Sequence, residues 1–236
     1  MRADGRKKDQ IRNVVITPDF ILYPEGSVLF QMGNTKVLCN VTVEELVPIW
    51  MQKQGIEGGW ITGEYSLLPR STHIRTPREN SGLSGRTQEI RRLIGRSLRT
   101  CVDLKLLGHR TFIIDCDVLQ ADGGTRAASI TGAYVALSIA IKKLIDKSIL
   151  PIDLKLTPVA AISAGIVNGE KLLDLDYQED SNADVDINVV MNAKNEFIEI
   201  QMTAEKKPFP YNALLDLIDL SRLGISELFK IQGYYS

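Results

Sequence analysis

The chain of 236 residues carries 28 lysines and arginines against 29 aspartates and glutamates, and its composition (44% hydrophobic, 24% charged) is that of an ordinary globular protein. If charge is spread evenly, the formal net charge of -1 argues against a simple basic nucleic-acid binder and against an acidic disordered tail. The length fits one large domain or two small ones, and nothing like a linker separates the halves, so we predict a single domain over residues 1–236.

The amino-terminal segment and the cysteines indicate a cytoplasmic protein without a membrane partner. Residues 1–12 are too charged for a signal peptide, and the closest approach to a membrane-spanning run, 133–141, falls far short of the roughly 18 residues required. Cys39, Cys101 and Cys116 cannot all pair, so we expect free, mostly buried thiols in a reducing compartment. Two histidines and no CxxC motif argue against a structural zinc site.

The first half of the chain is predicted to contain strands, an irregular segment, a helix and a further strand. A Gly33-Asn34 turn joins strands over 27–31 and 36–44, because apolar residues alternate along the second. Residues 52–86 are glycine-rich and then arginine-rich without periodicity, a pattern more often functional than structural. Apolar residues at helical spacing predict a helix from Thr87, with Leu107-Gly108 as a stop signal before a strand over 111–119.

The second half is predicted to contain hairpins between two helices. In order, the pattern predicts a loop over 121–127, a helix over 129–147, a hairpin of 160–167 and 171–176 around Asn168-Gly169, a hairpin of 185–191 and 196–203, and a helix from about Tyr211 to Gln232 that is broken near Gly224. We therefore predict one α+β domain with a mixed sheet.

The loop Asp122-Gly-Gly-Thr-Arg126, between a strand and a helix, is the first candidate site. Glycines permit close backbone approach to a ligand, the N–H groups at a helix start favour an anion, and Thr125 and Arg126 add donors suited to phosphate. The loop is neither a Walker motif nor a GxGxxG fingerprint, and a tight turn with a surface arginine remains an alternative.

An acidic segment from Asp174 to Asp186 is the second candidate. Asp184, Asp186 and Asn188 share one face of a predicted strand, and Asp180 lies in the loop before it. Clustered carboxylates suit a divalent cation or a general acid with a raised pKa, although a solvated acidic turn has the same composition. An EF-hand is excluded, because counting from Asp180 places Val185 at the glycine position.

The formal net charge of -1 is the sum of two stretches of opposite charge and a nearly neutral remainder. Eight arginines against two glutamates give +6 over residues 67–99, and seven acids against one lysine give −6 over 170–186. Arginine forms bidentate phosphate contacts and stacks on bases, which favours RNA. Alternatively, the two stretches pair with each other within the chain or between subunits.

Longer motifs run from one end of the chain to the other and connect these features. They are Met1-Arg-x-Asp-Gly-Arg6, Glu64-Tyr65 with Leu68-Pro69, Arg86-Thr-x-Glu-Ile with Arg92-Leu-Ile-Gly-Arg-Ser-Leu-Arg99, Gln120-Ala-Asp-Gly-Gly-Thr-Arg126, Leu173-Asp-Leu-Asp-Tyr-x-Glu-Asp-Ser181, and Val185-Asp-x-Asn-Val189. Together they resemble the bacterial ribonuclease PH family of phosphate-dependent 3′→5′ exoribonucleases.

The resemblance implies a fold, a site and an assembly. The fold is a mixed-sheet α/β sandwich of the ribonuclease PH type, related to the ribosomal protein S5 domain 2-like fold, and six copies form a ring as a trimer of dimers. The family trims precursor tRNA, and also rRNA, as a tRNA nucleotidyltransferase that releases nucleoside diphosphates. The resemblance implies that phosphate binds Arg86, Gly124, Thr125 and Arg126, and that Asp180 and Asp186 sit at the scissile bond.

The chemistry of the site leaves several assignments open. Asp186 is the general acid or a ligand of Mg²⁺ that stabilises the leaving oxygen, with Asp180 assisting the metal. We expect the remaining arginines to track the RNA backbone, namely Arg70, Arg75, Arg78, Arg92, Arg96 and Arg99. The rival hypotheses are a non-catalytic RNA-binding ring subunit and a phosphate-metabolite enzyme without an RNA role.

Overall fold

The structure is a computed structural model that describes residues 2–235; Met1, which opens the amino-terminal motif, and Ser236 lie outside the described residues. The strands are β1 (Val14–Pro18), β2 (Gly26–Met32), β3 (Thr35–Glu44), β4 (Trp60–Leu67), β5 (Thr111–Gln120), β6 (Val159–Val167), β7 (Glu170–Leu173), β8 (Val185–Asn192) and β9 (Phe197–Ala204). The helices are α1 (Ile49–Gln54), α2 (Gly85–Arg99), α3 (Thr125–Asp146), α4 (Tyr177–Asn182) and α5 (Tyr211–Gln232), with a 3₁₀ turn at Leu104–Leu107.

The strands form two sheets, where the sequence predicted a single mixed one. The first has the order β1-β2-β3-β5-β4 and is mixed, because β4 runs parallel to β5 while the other pairs are antiparallel. The second has the order β7-β6-β8-β9 and is antiparallel throughout. The α+β class and the sandwich are thus confirmed, and the sheet count is corrected.

Helix α3 lies between the two sheets and forms the centre of the core. Its Gly132 lies against Phe30 and Cys39 of the first sheet, where a Cβ would stand 2.7 Å from the Phe30 Cβ. On the other side Thr131 exchanges hydrogen bonds with the backbone of Ala161 in β6. The helix is long and apolar enough to cross a membrane, but 78% of its most apolar window is buried, which identifies a core helix.

Local sequence signals placed many elements correctly. Asn168 and Gly169 both adopt positive φ (52° and 79°), as a type I′ turn between β6 and β7 requires. The hairpin of β8 and β9, the strand β5 and the helix α2 also lie where their periodicity predicted them. The three cysteines are free and buried, as expected.

Helix α5 runs without a break through Gly224, contrary to prediction. A Cβ at Gly224 would stand 2.4 Å from Ile162 Cδ1 and 3.0 Å from Leu173, so the glycine lets the helix approach the second sheet closely. Ile162 alternates with Ala161, which faces α3, so α5 covers the opposite face of that sheet. Tertiary packing explains this glycine, and no turn is needed.

The irregular segment 52–86 proved partly regular. It contains the end of α1 and the whole of β4, whose buried Ile61, Gly63 and Tyr65 alternate with more exposed positions. Gly63 hid that period, because a glycine supplies no apolar side chain to the pattern. Leu107-Gly108 does act as a stop signal, but it ends the 3₁₀ turn Leu104–Leu107, with Gly108 as the C-cap at φ 66°, because α2 has already ended at Arg99.

Candidate active site

The glycine loop before α3 has the geometry of an anion cradle. Gly123 and Gly124 adopt left-handed conformations (φ 77° and 64°), and α3 begins at Thr125, so the loop is shorter than predicted. A Cβ on Gly123 would stand 2.4 Å from the Leu175 carbonyl oxygen, so only glycine lets the loop lie against the chain that leads into α4. Gly124 provides no side-chain cap, which leaves the first N–H groups of α3 available to a ligand.

The hydroxyl of Thr125 is held by a tyrosine to which the sequence assigned no role. Tyr65 of β4 is buried, and its hydroxyl oxygen lies 2.9 Å from Thr125 Oγ1. Burial raises the pKa of Tyr65, so the phenol stays neutral and its hydrogen bond orients the threonine. The Glu64-Tyr65 motif was the sequence signal that could have identified Tyr65.

Arg126 enters the site already positioned by two neighbours. Its Nη1 donates to Gln201 Oε1 at 2.5 Å and lies 3.6 Å from Glu89 Oε1, while Gln201 Nε2 donates to the same glutamate oxygen at 2.7 Å. These contacts occupy one edge of the guanidinium and leave its other nitrogens free for phosphate oxygens. Gln201 of β9 and Glu89 of α2 thus act on the cleft through Arg126.

Asp186 stands on the face of the second sheet that looks towards the start of α3. In the register of β6, β8 and β9 it lies between Gly165 and Thr203, and Asn188 lies between Ser163 and Gln201 in the neighbouring row. Asn188 donates from Nδ2 to Asp186 Oδ2 at 3.0 Å, which fixes the carboxylate. A Cβ on Gly165 would stand 2.5 Å from the Val185 carbonyl oxygen and 2.8 Å from Leu175 Cδ1, so only glycine permits this close packing beside Asp186.

The pKa of Asp186 is raised above that of an ordinary surface carboxylate. Burial, followed by the charge of Asp180, raises the pKa of Asp186 to about 6, although the charge of Arg126 opposes the shift. Burial also raises the pKa of Asp180, against the lowering effect of Arg86 and Arg126. Both carboxyls are therefore within electrostatic range of Arg126, and Asp180 is also within range of Arg86.

Asp180 lies on a short helix, whereas the sequence placed it in a loop. Asp176 caps α4 by accepting the Glu179 N–H at 2.9 Å, and the Glu179 carboxylate accepts the Asp176 N–H at 3.1 Å, a complete capping box. Arg2 donates from Nε to Glu179 Oε1 at 2.7 Å and ties α4 to the amino terminus. Asp180 is thus carried on a fixed turn of helix.

Arg86 lies in the first turn of α2, whose N-cap Ser84 accepts the Thr87 N–H at 3.2 Å. Its side chain is exposed to the cleft, and among residues 2–235 it forms no ion pair. The charge of Arg86 lowers the pKa of Asp180, so the two side chains lie in electrostatic range. Arg86 is therefore available to an incoming anion.

One cleft of about 1160 Å³ brings the predicted phosphate and catalytic residues together. Those lining it are Arg86, Gly124, Thr125, Arg126, Asp180 and Asp186. Its volume exceeds that of most small-molecule pockets, as a polymer substrate requires. Of the arginines predicted to contact RNA, Arg75 lines this cleft.

The other predicted RNA-contacting arginines divide into two groups. Arg70, Arg78 and Arg92 are exposed and form no ion pair within the described chain. Arg96 pairs with Glu199, and Arg99 stacks 4.4 Å above Trp60 while donating to the Ile61 carbonyl at 2.8 Å. Arg92, Arg96 and Arg99 line a second groove of about 400 Å³ beside β4.

Three acids of the acidic stretch pair with the amino-terminal segment and Asp184 pairs with Lys206, and no ion pair joins the acidic stretch to the arginine stretch within residues 2–235. Asp174, fully buried, forms a bidentate pair with Arg12, which donates from Nε to Oδ2 at 2.9 Å and from Nη2 to Oδ1 at 2.6 Å. Arg12 also donates to the carbonyls of Asp122 and Gly123. A buried ion pair that the sequence did not predict thus lies directly beneath the glycine loop.

A divalent cation fits between Asp180 and Asp186 on electrostatic grounds. The charge of Asp180 raises the pKa of Asp186, and a cation bound beside them would relieve that repulsion. In the part of the chain that the structure describes, no group of three or more His, Cys, Asp or Glu side chains is placed to hold a metal. The protein would therefore supply two carboxylates, with substrate oxygens and water completing the coordination.

Comparisons with known proteins agree with this geometry. Family models described as "3' exoribonuclease family, domain 1" and "domain 2" match residues 10–143 and 157–223. Proteins named ribonuclease PH are 53% identical in Dehalococcoides mccartyi, over 98% of this chain and 97% of theirs, and 53% identical in Crocosphaera subtropica, over 98% and 96%.

Two solved structures share the fold at low sequence identity. Rice (Oryza sativa) Rrp46 superposes with a TM-score of 0.79 at 18% identity, over 98% of both chains. A chain of the Archaeoglobus fulgidus exosome, solved with RNA bound to its active site, superposes with a TM-score of 0.77 at 21% identity, over 100% of this chain and 92% of that one. The matched family models and the identity to these relatives along nearly the whole chain show that this protein belongs to the ribonuclease PH family.

Proposed function

We propose that the cleft directs inorganic phosphate onto the last phosphodiester bond of an RNA 3′ end. The protein is a phosphorolytic 3′→5′ exoribonuclease of the ribonuclease PH type, a tRNA nucleotidyltransferase that uses phosphate as co-substrate. One observation carries the mechanism: the start of α3, Arg86 and Arg126 line the same cleft as Asp180 and Asp186.

The reaction places negative charge on the attacking phosphate and on the leaving 3′ oxygen. A phosphate oxygen attacks the phosphorus of the terminal nucleotide, the bond from that phosphorus to the 3′ oxygen of the preceding nucleotide breaks, and the leaving oxygen takes up a proton. The products are a nucleoside diphosphate and an RNA shortened by one nucleotide. Since catalysis of phosphoryl transfer consists mainly of positioning and charge stabilisation, the preorganised side chains are what the chemistry requires.

Phosphate is the group that the arginine side of the cleft suits. The N–H groups at the start of α3, the Thr125 hydroxyl and two guanidinium groups converge there. Gln201 and Glu89 hold Arg126 in advance, so little reorganisation accompanies binding. Arg86, which lacks an ion-pair partner among the described residues, supplies a second positive charge.

The carboxylate side acts on the leaving oxygen. With a pKa of about 6, Asp186 carries a proton often enough to serve as general acid near neutral pH. Alternatively, Asp186 with the assistance of Asp180 holds a Mg²⁺ ion, which when bound stabilises the charge on that oxygen. In either role Asn188 keeps the carboxylate oriented by its 3.0 Å hydrogen bond.

The substrate is the 3′ end of precursor tRNA, and we extend it to rRNA. Arg70, Arg75, Arg78 and Arg92 have no ion-pair partner among residues 2–235, so their charges are available to the RNA backbone. Arg96 and Arg99 are already engaged by Glu199 and Trp60, and we assign them a smaller share. Binding that rests on such contacts weakens steeply with salt.

We further propose that six copies assemble as a trimer of dimers in the cytoplasm. The supporting facts are the identity to proteins named ribonuclease PH and the likeness to a chain of an exosome. A sedimentation experiment checks the ring, and a fully active monomer contradicts it.

The test of function is product analysis with the full chain. RNA carrying a tRNA-like 3′ extension is incubated with phosphate or with sulfate at equal ionic strength, and the released nucleotides are separated. We expect nucleoside diphosphates with phosphate only, and none from Asp186→Asn, which still binds RNA. Release that is absent, or equal without phosphate, refutes phosphorolysis; undetectable RNA binding at low salt favours a phosphate-metabolite enzyme.

A further inference from the structure

An aromatic pair lines the cleft and takes no part in the chemistry described above. The rings of His73 and Tyr177 lie with their centroids 5.7 Å apart at an angle of 50°. Both residues line the same cleft as Arg86 and Asp180, and both are exposed, with Tyr177 at 49%. Flat apolar faces in a charged cleft suit a ligand that has a flat apolar face of its own.

The two residues come from different segments of the chain, and both segments are held in place. Tyr177 is the first residue of α4, which the Asp176–Glu179 capping box fixes. His73 lies in a loop closed by a hydrogen bond from the Thr76 N–H to the Pro69 carbonyl at 2.8 Å and by one from Thr72 Oγ1 to the Ile74 carbonyl at 2.6 Å. The rings therefore meet a ligand as a preformed surface.

The position of Tyr177 relative to Asp180 defines what that ligand is. Residues three apart on a helix lie on one face, about 4.5 Å from each other along the axis and with their Cβ atoms about 5–6 Å apart. In a nucleotide only the sugar separates the phosphate from the base. When the scissile phosphate lies beside Asp180, the base of a flanking nucleotide thus reaches the ring of Tyr177.

We propose that His73 and Tyr177 form a stacking platform for the nucleobase of one of the two nucleotides that flank the scissile bond. This inference rests on the proposed function of the cleft and names a subsite within it. Because the two rings already contact each other, the base stacks on their outer, exposed face and does not insert between them. Every base has a π face, so the platform holds any 3′ end without selecting its sequence.

The platform and the phosphate cradle make separable contributions. Stacking acts on the base, whereas the α3 start and the arginines act on phosphate groups, so loss of a ring affects RNA and spares inorganic phosphate. Alanine substitution of a stacking ring typically weakens binding about tenfold or more per base. We expect the KM for RNA to increase by about that factor, with kcat and the KM for phosphate within about twofold of wild type.

The experiment combines protein variants with abasic RNA. Tyr177→Ala and His73→Ala remove the rings, and Tyr177→Phe keeps the ring of the tyrosine. Tyr211→Ala is the matched control, because Tyr211 is also an exposed tyrosine at the first position of a helix but lies outside the cleft. RNA lacking a base at each of its last four nucleotides in turn is tested with every variant, and circular dichroism checks folding.

The platform predicts a specific pattern of KM values for RNA. In the wild type, one of the last two abasic positions raises KM about tenfold; in Tyr177→Ala that position has no further effect, and Tyr177→Phe and Tyr211→Ala behave as wild type. A wild-type KM in Tyr177→Ala, or an undiminished abasic penalty there, overturns the proposal. If the wild type releases no nucleoside diphosphate, the proposed function fails instead, and fluorescence anisotropy of the same RNAs still tests the platform.

Discussion

Replacing Arg12 with methionine perturbs the buried ion pair beneath the glycine loop. Methionine retains most of the aliphatic volume of arginine, which packs against Gly33, but it removes the guanidinium that holds both oxygens of Asp174. Burial by itself lowers the pKa of Arg12, and the charge and hydrogen bonds of Asp174 more than compensate, so the net shift is upwards. The pair is therefore strongly coupled in the folded state.

The expected loss of stability follows from what Asp174 retains. The carboxylate is fully buried, and removing one partner of a buried pair costs about 3–5 kcal/mol. Arg6 stays 3.3 Å from Asp174 Oδ2, and the backbone N–H of residue 12 still donates to it at 2.7 Å, so we expect the lower end, about 3 kcal/mol. For a chain of this size that lowers Tm by about 6–12 °C.

Thermal unfolding followed by circular dichroism measures the effect, with Lys8→Met as the control. Lys8 pairs with Glu170 at the surface, where the side chains are 65% and 53% exposed, so that variant should lose at most about 1 kcal/mol. Because Arg12 also supports the carbonyls of Asp122 and Gly123, the KM for phosphate should increase in Arg12→Met. A Tm equal to that of Lys8→Met would refute the reasoning.

Three further predictions follow from the site and the core. The pH profile of kcat should bend near pH 6, because the raised pKa means that Asp186 is protonated below that value and ionised above it. A rate that falls above pH 6 identifies Asp186 as the general acid, and a rate that increases above pH 6 identifies it as a metal ligand. A flat profile from about pH 5 to 7.5 contradicts both roles. Arg126→Ala should increase the KM for phosphate while RNA binding persists, and an unchanged dependence of rate on phosphate would show that the loop is only a turn. Gly224→Ala should lower stability by about 1–3 kcal/mol through its clash with Ile162, whereas Gly85→Ala, whose Cβ meets no atom, should not; equal unfolding temperatures would contradict the close packing of α5.

Local rules were sufficient wherever a residue's own backbone preference decides the structure. The Asn168-Gly169 turn needs positive φ at two successive residues, a conformation that this pair adopts easily, and the periodicity of α2 and β5 reflects burial on one face. The order and spacing of the motifs also identified the candidate site residues, and the fold places these residues in one cleft. They are Arg86, Gly124, Thr125, Arg126, Asp180 and Asp186. Their individual roles stay predictions.

Contacts between distant parts of the chain lay beyond those rules. Arg12 and Asp174 are 162 residues apart, and the arginine stretch was an equally plausible partner for the acidic one until the fold brought the amino terminus against α4. A glycine such as Gly224 usually indicates a helix break, yet here the close approach of the sheet requires a residue without a Cβ inside a continuous helix.

By itself, then, the sequence determined the family, most of the elements and the residues of the cleft, since spacing and backbone preference are properties of short segments. Only the tertiary structure decided which charges pair, which residues orient Arg126 and Thr125, and which rings line the cleft. The physical reason is that electrostatic and packing energies depend on distance and burial in space, and neither quantity is encoded in separation along the chain.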